Sequence, residues 1–273
     1  MEWMLLAAIG FTAGSLGALV GLGGGVIIVP ALLFFGTATT LLMGISPQQA
    51  VGTSLVIMIF TGLSSTLAYM KHKTVDYKSG VLFFAGSGPG GIVGAFVNKT
   101  LSADSFNIYF GIFMILMAFV LMIRSKIKPL PSKHKGGVVR EFTERSGEVY
   151  TYSFQPGTAI CIAFFVGFCS GVFGIGGGSL MVPAMILLFA FPPHVAVATS
   201  MFMIFLSSVV SSVTHVALGN VLWLYAAALV PGAWFGAKFG AYLNTRLQSK
   251  TLVTALRIIL ILIGIRLIYD GLA

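Results

Sequence analysis

The stretch Gly21–Pro30, GLGGGVIIVP, interrupts an apolar run over residues 3–36, and the chain repeats it as Gly174–Pro183, GIGGGSLMVP, 153 residues further on. Glycine in a helix interior costs about 1 kcal/mol relative to alanine, and proline about 3. In a lipid core each unpaired amide or carbonyl costs several kcal/mol more, so a backbone break at membrane depth survives only inside protein or beside a watery cavity. Two such breaks in corresponding places are expected to be internal and to form a site.

The rest of the chain makes the membrane reading necessary. Of 273 residues, 57% are hydrophobic and 8% charged, and the mean hydropathy is +1.00. A soluble domain carries roughly 25% charged residues and has nowhere to put so many runs of about 20 apolar residues, the length that crosses a bilayer core. The start, Met1-Glu2-Trp3, lacks the basic segment of a cleaved signal peptide, so the first span is expected to stay. Cys161 and Cys169 lie eight apart in one apolar segment and read as small buried side chains.

The net charge of +9 is concentrated rather than spread. Arg124, Lys126, Lys128, Lys133, Lys135, Arg140 and Arg145 fall in one polar stretch with Pro129, Pro131 and Gly136-Gly137. That stretch reads as a cytoplasmic linker over residues 124–154 between membrane units 1–123 and 155–273. Lys- and Arg-rich loops face the cytoplasm and touch anionic lipid, which accounts for the charge without nucleic acid.

The two units echo one another. Aligning the glycine triplets pairs Gly14 with Gly167, and Pro47–Ser54 answers Pro193–Ser200. Pro89-Gly90 with Gly94-Ala95 answers Pro231-Gly232 with Gly236-Ala237. Beyond the glycine runs, hydropathy marks spans at about 48–70, 79–98, 104–123, 194–217, 221–243 and 250–269. If the chain crosses once through each glycine run, the units are parallel; if it turns back there, each crosses an odd number of times and they are inverted. The total is eight or ten crossings. Lysines at 71, 73 and 78 mark one loop of the first unit, whereas Arg246 and Lys250 mark a different loop of the second. Opposite orientation requires that pattern. The expected fold is all-α: a polytopic membrane protein of two pseudo-symmetric, inverted helical repeats with glycine-broken helices.

Successive glycines can present consecutive amides to an anion, and a helix starting after them adds its positive end. Gly23, Gly24 and Gly25, with Gly176, Gly177, Gly178 and Ser179, are therefore candidate anion contacts. Scattered glycines such as Gly10, Gly14, Gly90, Gly94, Gly232 and Gly236 read as helix-packing positions, where Gly10→Ala is expected to be mild. No Gly-Lys-Ser/Thr follows either triplet, so neither is a nucleotide-binding loop.

The paired GLGGG and GIGGG motifs, each followed by Val-Pro, the Thr-Ser pairs and the Pro-Gly repeats resemble the sulfite exporter TauE/SafE family, also called the toluene sulfonate uptake permease family. The resemblance implies a secondary transporter of sulfite or a small organosulfur or sulfonate anion in the cell (inner) membrane. The family contains exporters and importers; its name favours export, and direction does not carry over. An anion channel and a non-transporting membrane subunit are the alternatives. Substrate identity, coupling ion and oligomeric state are not legible.

Further candidates are polar residues at the starts of apolar spans: Gln48, Gln49, Thr53 and Ser54, and in the second unit His194, Thr199 and Ser200. Neutral donors hold a small oxyanion loosely enough to release it; the alternative for the hydroxyls is a bond back to their own helix. Ser64, Ser65, Ser207, Ser208, Ser211 and Ser212 read as packing residues, His215 and His72 as interfacial, and Asn98 and Asn220 as helix-end caps. Arg257 is the best-placed cation to attract an anion. All seven acids lie near span ends or in loops, so no buried carboxylate carries protons. With no HExxH motif and no Cys/His cluster, enzyme chemistry, a metal site and a cofactor are not expected.

Overall fold

The computed structural model describes residues 2–38, 44–124, 137–143, 149–244 and 250–272. It contains ten helices among them: α1 Glu2–Val20, α2 Gly25–Ala38, α3 Pro47–Met70, α4 Tyr77–Thr100, α5 Ala103–Arg124, α6 Pro156–Phe173, α7 Gly178–Phe189, α8 Pro193–Ala217, α9 Trp223–Asn244 and α10 Lys250–Leu272. Among the described residues six helices (α1, α3, α4, α5, α6 and α8) are long and apolar enough to cross a membrane. This is a multi-pass all-α protein, and the spans expected from hydropathy are all helices.

Local chemistry sets the helix ends. Ser46 and Gln49 form a reciprocal capping box before α3, with Pro47 in the first turn, where its missing N–H costs nothing. Asp76 caps α4 by accepting from the Ser79 amide at 3.1 Å. α2 and α7 are different: with 14 and 12 residues they reach about 21 and 18 Å, short of the roughly 30 Å core.

The chain turns back at the glycines. A Cβ on Gly17 would strike the Gly24 amide, and one on Gly24 would lie 2.8 Å from the Ala13 carbonyl. Residues 21–24 thus fold down along α1, and α2 starts beside Met58, halfway along α3. Gly177 stands against Val166 of α6 in the same manner.

Close glycine contacts fix the running directions. Gly232, Gly236 and Gly240 of α9 press on the carbonyls of Ala7, Phe11 and Ser15 of α1, so these helices are parallel. Gly86, Gly90 and Gly94 of α4 do the same to Ile160, Phe164 and Phe168 of α6. α3 runs antiparallel to α8, with Gly62 on Phe205 and Gly52 on Asn220, and α5 antiparallel to α10, with Gly111 on Gly264 and Gly271 on Asp104. In the two pairs that join counterparts, α3 with α8 and α5 with α10, the helices thus run in opposite directions. These contacts also correct the sequence alignment downstream. Gly90 occupies the position that Gly236 occupies, not Gly232, so the Pro-Gly echo is one helical turn out of spatial register. Carbonyl contact, which selects the glycines, fixes helix register; the prolines on the exposed faces do not.

One element departs from the all-α expectation. Within the stretch read as a linker, strands β1 Val138–Thr143 and β2 Val149–Phe154 pair antiparallel, Val138 opposite Phe154. Phe154 packs on Phe83, Phe189 and Phe191, and the Tyr152 hydroxyl donates to Asp76 at 2.9 Å. Burial and the Asp76 carboxylate push the Tyr152 hydroxyl above the usual tyrosine range. Lys126, Lys128, Lys133, Lys135 and Arg145 of that stretch, and Arg246, lie outside the described residues.

Candidate functional site

The two breaks meet. Gly21, Gly23 and Gly24 adopt positive φ of 82°, 81° and 90°, and Gly174 and Gly176 of 67° and 61°, backbone that only glycine enters freely. Every residue from Gly21 to Val26 and from Gly174 to Ser179 is buried. A Cβ on Gly25 would overlap the Gly174 carbonyl oxygen, and one on Gly178 the Gly21 carbonyl oxygen. Each break thus presses its helix start on the other's first carbonyl.

The Thr-Ser pairs build this contact. Ser54 donates to the Gly174 carbonyl at 2.8 Å, and Ser200 to the Gly21 carbonyl at 3.1 Å as well as to Val197 in its own helix at 2.8 Å. Thr53 accepts from the Leu222 amide and Thr199 from the Asp76 amide, both at 3.0 Å, which fixes the entries to α9 and α4. Thr61, which the sequence reading did not single out, donates to the Gly23 carbonyl at 3.0 Å.

The carbonyls before each break are also satisfied. That of Gly17 accepts from the amides of Gly21, Leu22 and Gly23. Tyr69 donates to Ala18 at 2.9 Å and Asn244 to Leu19 at 2.6 Å. In the second unit His215 Nε2 lies 3.1 Å from the Gly171 carbonyl, and Asn98 donates to Val172 at 2.7 Å. Helix ends leave carbonyls open, and inside a bilayer they need donors. Nothing local in the sequence links a tyrosine or histidine near the end of one span to the end of another.

The amides after each break are another matter. Those of Gly24, Gly25 and Val26, and those of Ile175, Gly176, Gly177 and Gly178, donate to no acceptor among the described residues. The Ser179 hydroxyl, 1% exposed in the first turn of α7, has no partner there either, nor does that of Ser170 in the last turn of α6. Met58 and Ile204 fill the space beside both breaks: the Met58 methyl abuts Gly23 and Gly176, and Ile204 abuts Gly23, Gly176 and Gly178.

Other expected residues stand elsewhere. Gln48 donates to the carbonyls of Asn98 and Leu101 at 3.2 and 2.8 Å, and Gln49 completes the α3 cap. His194, at the start of α8, stacks edge-on against Phe142 and Tyr150 of the hairpin. Arg257 donates to the Leu121 carbonyl at 2.6 Å, capping α5 away from the breaks. His215, expected at the interface, is fully buried. Ser207 pairs with Ser87 at 2.6 Å, whereas the buried hydroxyls of Ser208, Ser211 and Ser212 have no partner among the described residues. No group of three or more metal-ligating side chains occurs among the described residues.

A family model described as Sulfite exporter TauE/SafE matches residues 6–267. The chain is similar to "Probable membrane transporter protein YunE" of Bacillus subtilis (strain 168), 59% identical over 271 residues that cover 99% of each chain. It is also similar to a "Probable membrane transporter protein" of Xylella fastidiosa (strain Temecula1), 27% identical over 89% of this chain and 83% of that one. "Probable membrane transporter protein ORF9" of a Sinorhizobium species is 26% identical over 99% of this chain and 93% of its own. No solved structure matches.

Proposed function

The chain belongs to the sulfite exporter TauE/SafE family, and from that premise we propose that it is a secondary transporter of a small oxyanion, sulfite or an organosulfonate, working by alternating access around the paired breaks. One observation carries the reading: buried amides after each break meet no acceptor among the described residues, at the positive ends of α2 and α7, where the two units touch. Amides and helix ends so placed suit a negative charge. Gly24–Val26 and Ile175–Ser179 hold the anion, with Ser179 adding a hydroxyl. Ser54, Thr53, Thr199 and Ser200 shape the cradle through the backbone rather than by touching the solute. Gln48, Gln49 and His194 act at the ends of α3 and α8.

The opposed running directions of α3 and α8, and of α5 and α10, support an inverted repeat, the architecture in which one unit rocks against the other around a midplane site. The methyl of Met58 and the side chain of Ile204 close the space between the breaks, which suits a gated carrier better than a continuously wetted channel.

The test is uptake into proteoliposomes holding this protein alone, with sulfite, thiosulfate, sulfate, taurine and sulfoacetate as probes. The expected result is saturable uptake of one or more, weakened several-fold in apparent affinity by Ser179→Ala. Absence of both binding and uptake across that panel would sink the reading, and flux far faster than a conformational cycle would replace it with a channel.

A further inference from the structure

The two units differ at one position that the break geometry makes comparable. Tyr69 of α3 and His215 of α8 do the same work, each giving a proton to the carbonyl three residues before the glycine that opens a break: Ala18 before Gly21, and Gly171 before Gly174. Both are buried, Tyr69 at 1% exposure and His215 at 0%. A phenol gives its unit a permanent neutral donor. An imidazole gives the other unit a donor with a second, basic nitrogen.

The partners of His215 settle its tautomer. A backbone carbonyl only accepts, so Nε2 carries the hydrogen. Nδ1 is then a lone pair, and its neighbour is the Asn220 side-chain nitrogen at 3.4 Å. Asn220 lies beyond the end of α8 in a loop half-open to the surface, and its carbonyl is pressed against Gly52 of α3. A proton arriving at Nδ1 is accommodated if the Asn220 amide turns its oxygen inward. Among the described residues the surrounding elements bring no carboxylate: Asn98 and exposed Lys99 on α4, the Cys169 thiol on α6, and uncharged Gln48, Gln49 and Thr53 on α3. What favours charge there is the negative end of α6, whose last-turn carbonyls of Gly171 and Val172 face His215 and Asn98.

We propose that His215 is a proton-binding site that couples to the anion at the second break. The proton adds at Nδ1 and makes an imidazolium within one turn of Gly174, while Nε2 keeps its bond to Gly171. No bond to the anion forms, and the proton returns to water on the Asn220 side. An anion at Ile175–Ser179 and a proton on His215 stabilise each other, so each raises the occupancy of the other. Sequence reading found no intramembrane carboxylate to carry protons; this arrangement needs none. It rests on the anion reading proposed above.

His215→Tyr is the informative variant, because it installs the donor that the other unit uses and keeps the Gly171 bond while removing the basic nitrogen. Two readouts are needed on the full chain. In detergent, nitrogen NMR of labelled histidines identifies His215 as the signal lost in H215Y. The expected result is an Nε2–H tautomer that gains a proton on acidification, and does so at higher pH when sulfoacetate is present than with chloride. In proteoliposomes, an imposed pH gradient is expected to change the initial rate of sulfite or sulfoacetate uptake by about tenfold in the unmodified protein and less than twofold in H215Y, a coupling of the usual allosteric size. Equal gradient response in both proteins, or a His215 signal indifferent to the anion, overturns the proton site and leaves the anion reading standing. If the unmodified protein neither binds nor moves any anion, both fall together. A thermal melt of H215Y close to that of the unmodified protein shows that the fold is kept.

Discussion

Ser54 and Ser200 join the two units at the breaks, each by one hydroxyl on the other unit's opening carbonyl. Buried interhelical hydrogen bonds of this kind contribute about 0.6 kcal/mol on average within membranes, and up to about 1.7. Ser54→Ala and Ser200→Ala are each expected to lower stability by about that much in a detergent melt, with Ser54→Ala the larger because the Ser200 hydroxyl divides its one hydrogen between Gly21 and Val197 of its own helix. Gly10 argues differently from what its spacing in the sequence suggests. A Cβ there would overlap the Leu229 carbonyl, so Gly10→Ala forces α1 and α9 apart and is expected to destabilise by about 1–3 kcal/mol. Small-residue spacing shows that two helices meet; it does not show how near the backbones come. That distance depends on a partner more than 200 residues away.

Among the elements, the helices and both breaks were legible from hydropathy and from the cost of Gly and Pro in lipid, which leaves little freedom. The reversal at Gly21–Gly24 was legible only through the loop charges, because a broken run crosses once or turns back with the same composition. The hairpin was missed for a different reason. Val138–Thr143 and Val149–Phe154 are rich in the valine, threonine and aromatic residues that favour strands, yet they sit in a stretch whose basic residues and prolines dominate its reading. Its latch makes a prediction. The Tyr152 hydroxyl is held protonated by burial and by Asp76, so the stability it lends is fully present below the unfolded tyrosine value of about 10 and is lost as pH rises through its higher folded value. The difference in tyrosinate absorbance between the unmodified protein and Tyr152→Phe should therefore appear only above the pH at which exposed tyrosines ionise. Tyr152→Phe at neutral pH should also speed hydrogen exchange across residues 138–143 and 149–154; unchanged exchange would mean that the aromatic contacts of Phe154 hold the hairpin alone.

For the whole molecule, the running directions divide the charges. Lys71, Lys73, Lys78, Lys238 and Arg257 lie toward the end where α5 finishes and α6 begins, whereas Lys99, Asp104, Arg266 and Asp270 lie toward the other and balance. If each unit turns back at its break and so crosses an odd number of times, tags at the two chain ends should report one shared face and a tag in the 125–136 stretch the opposite, cytoplasmic one; a cytoplasmic C-terminal tag would count against the inverted arrangement. The parallel seating of α1 on α9 and of α4 on α6 has a consequence for manufacture. α1 emerges from the ribosome about 200 residues ahead of the helix that covers its glycine face. At roughly 5–20 residues per second, that is at least about ten seconds of waiting. During that interval its small-residue groove is open to lipid or to the insertion machinery, so the early half cannot mature alone, and separately translated halves should recover assembly only when made together.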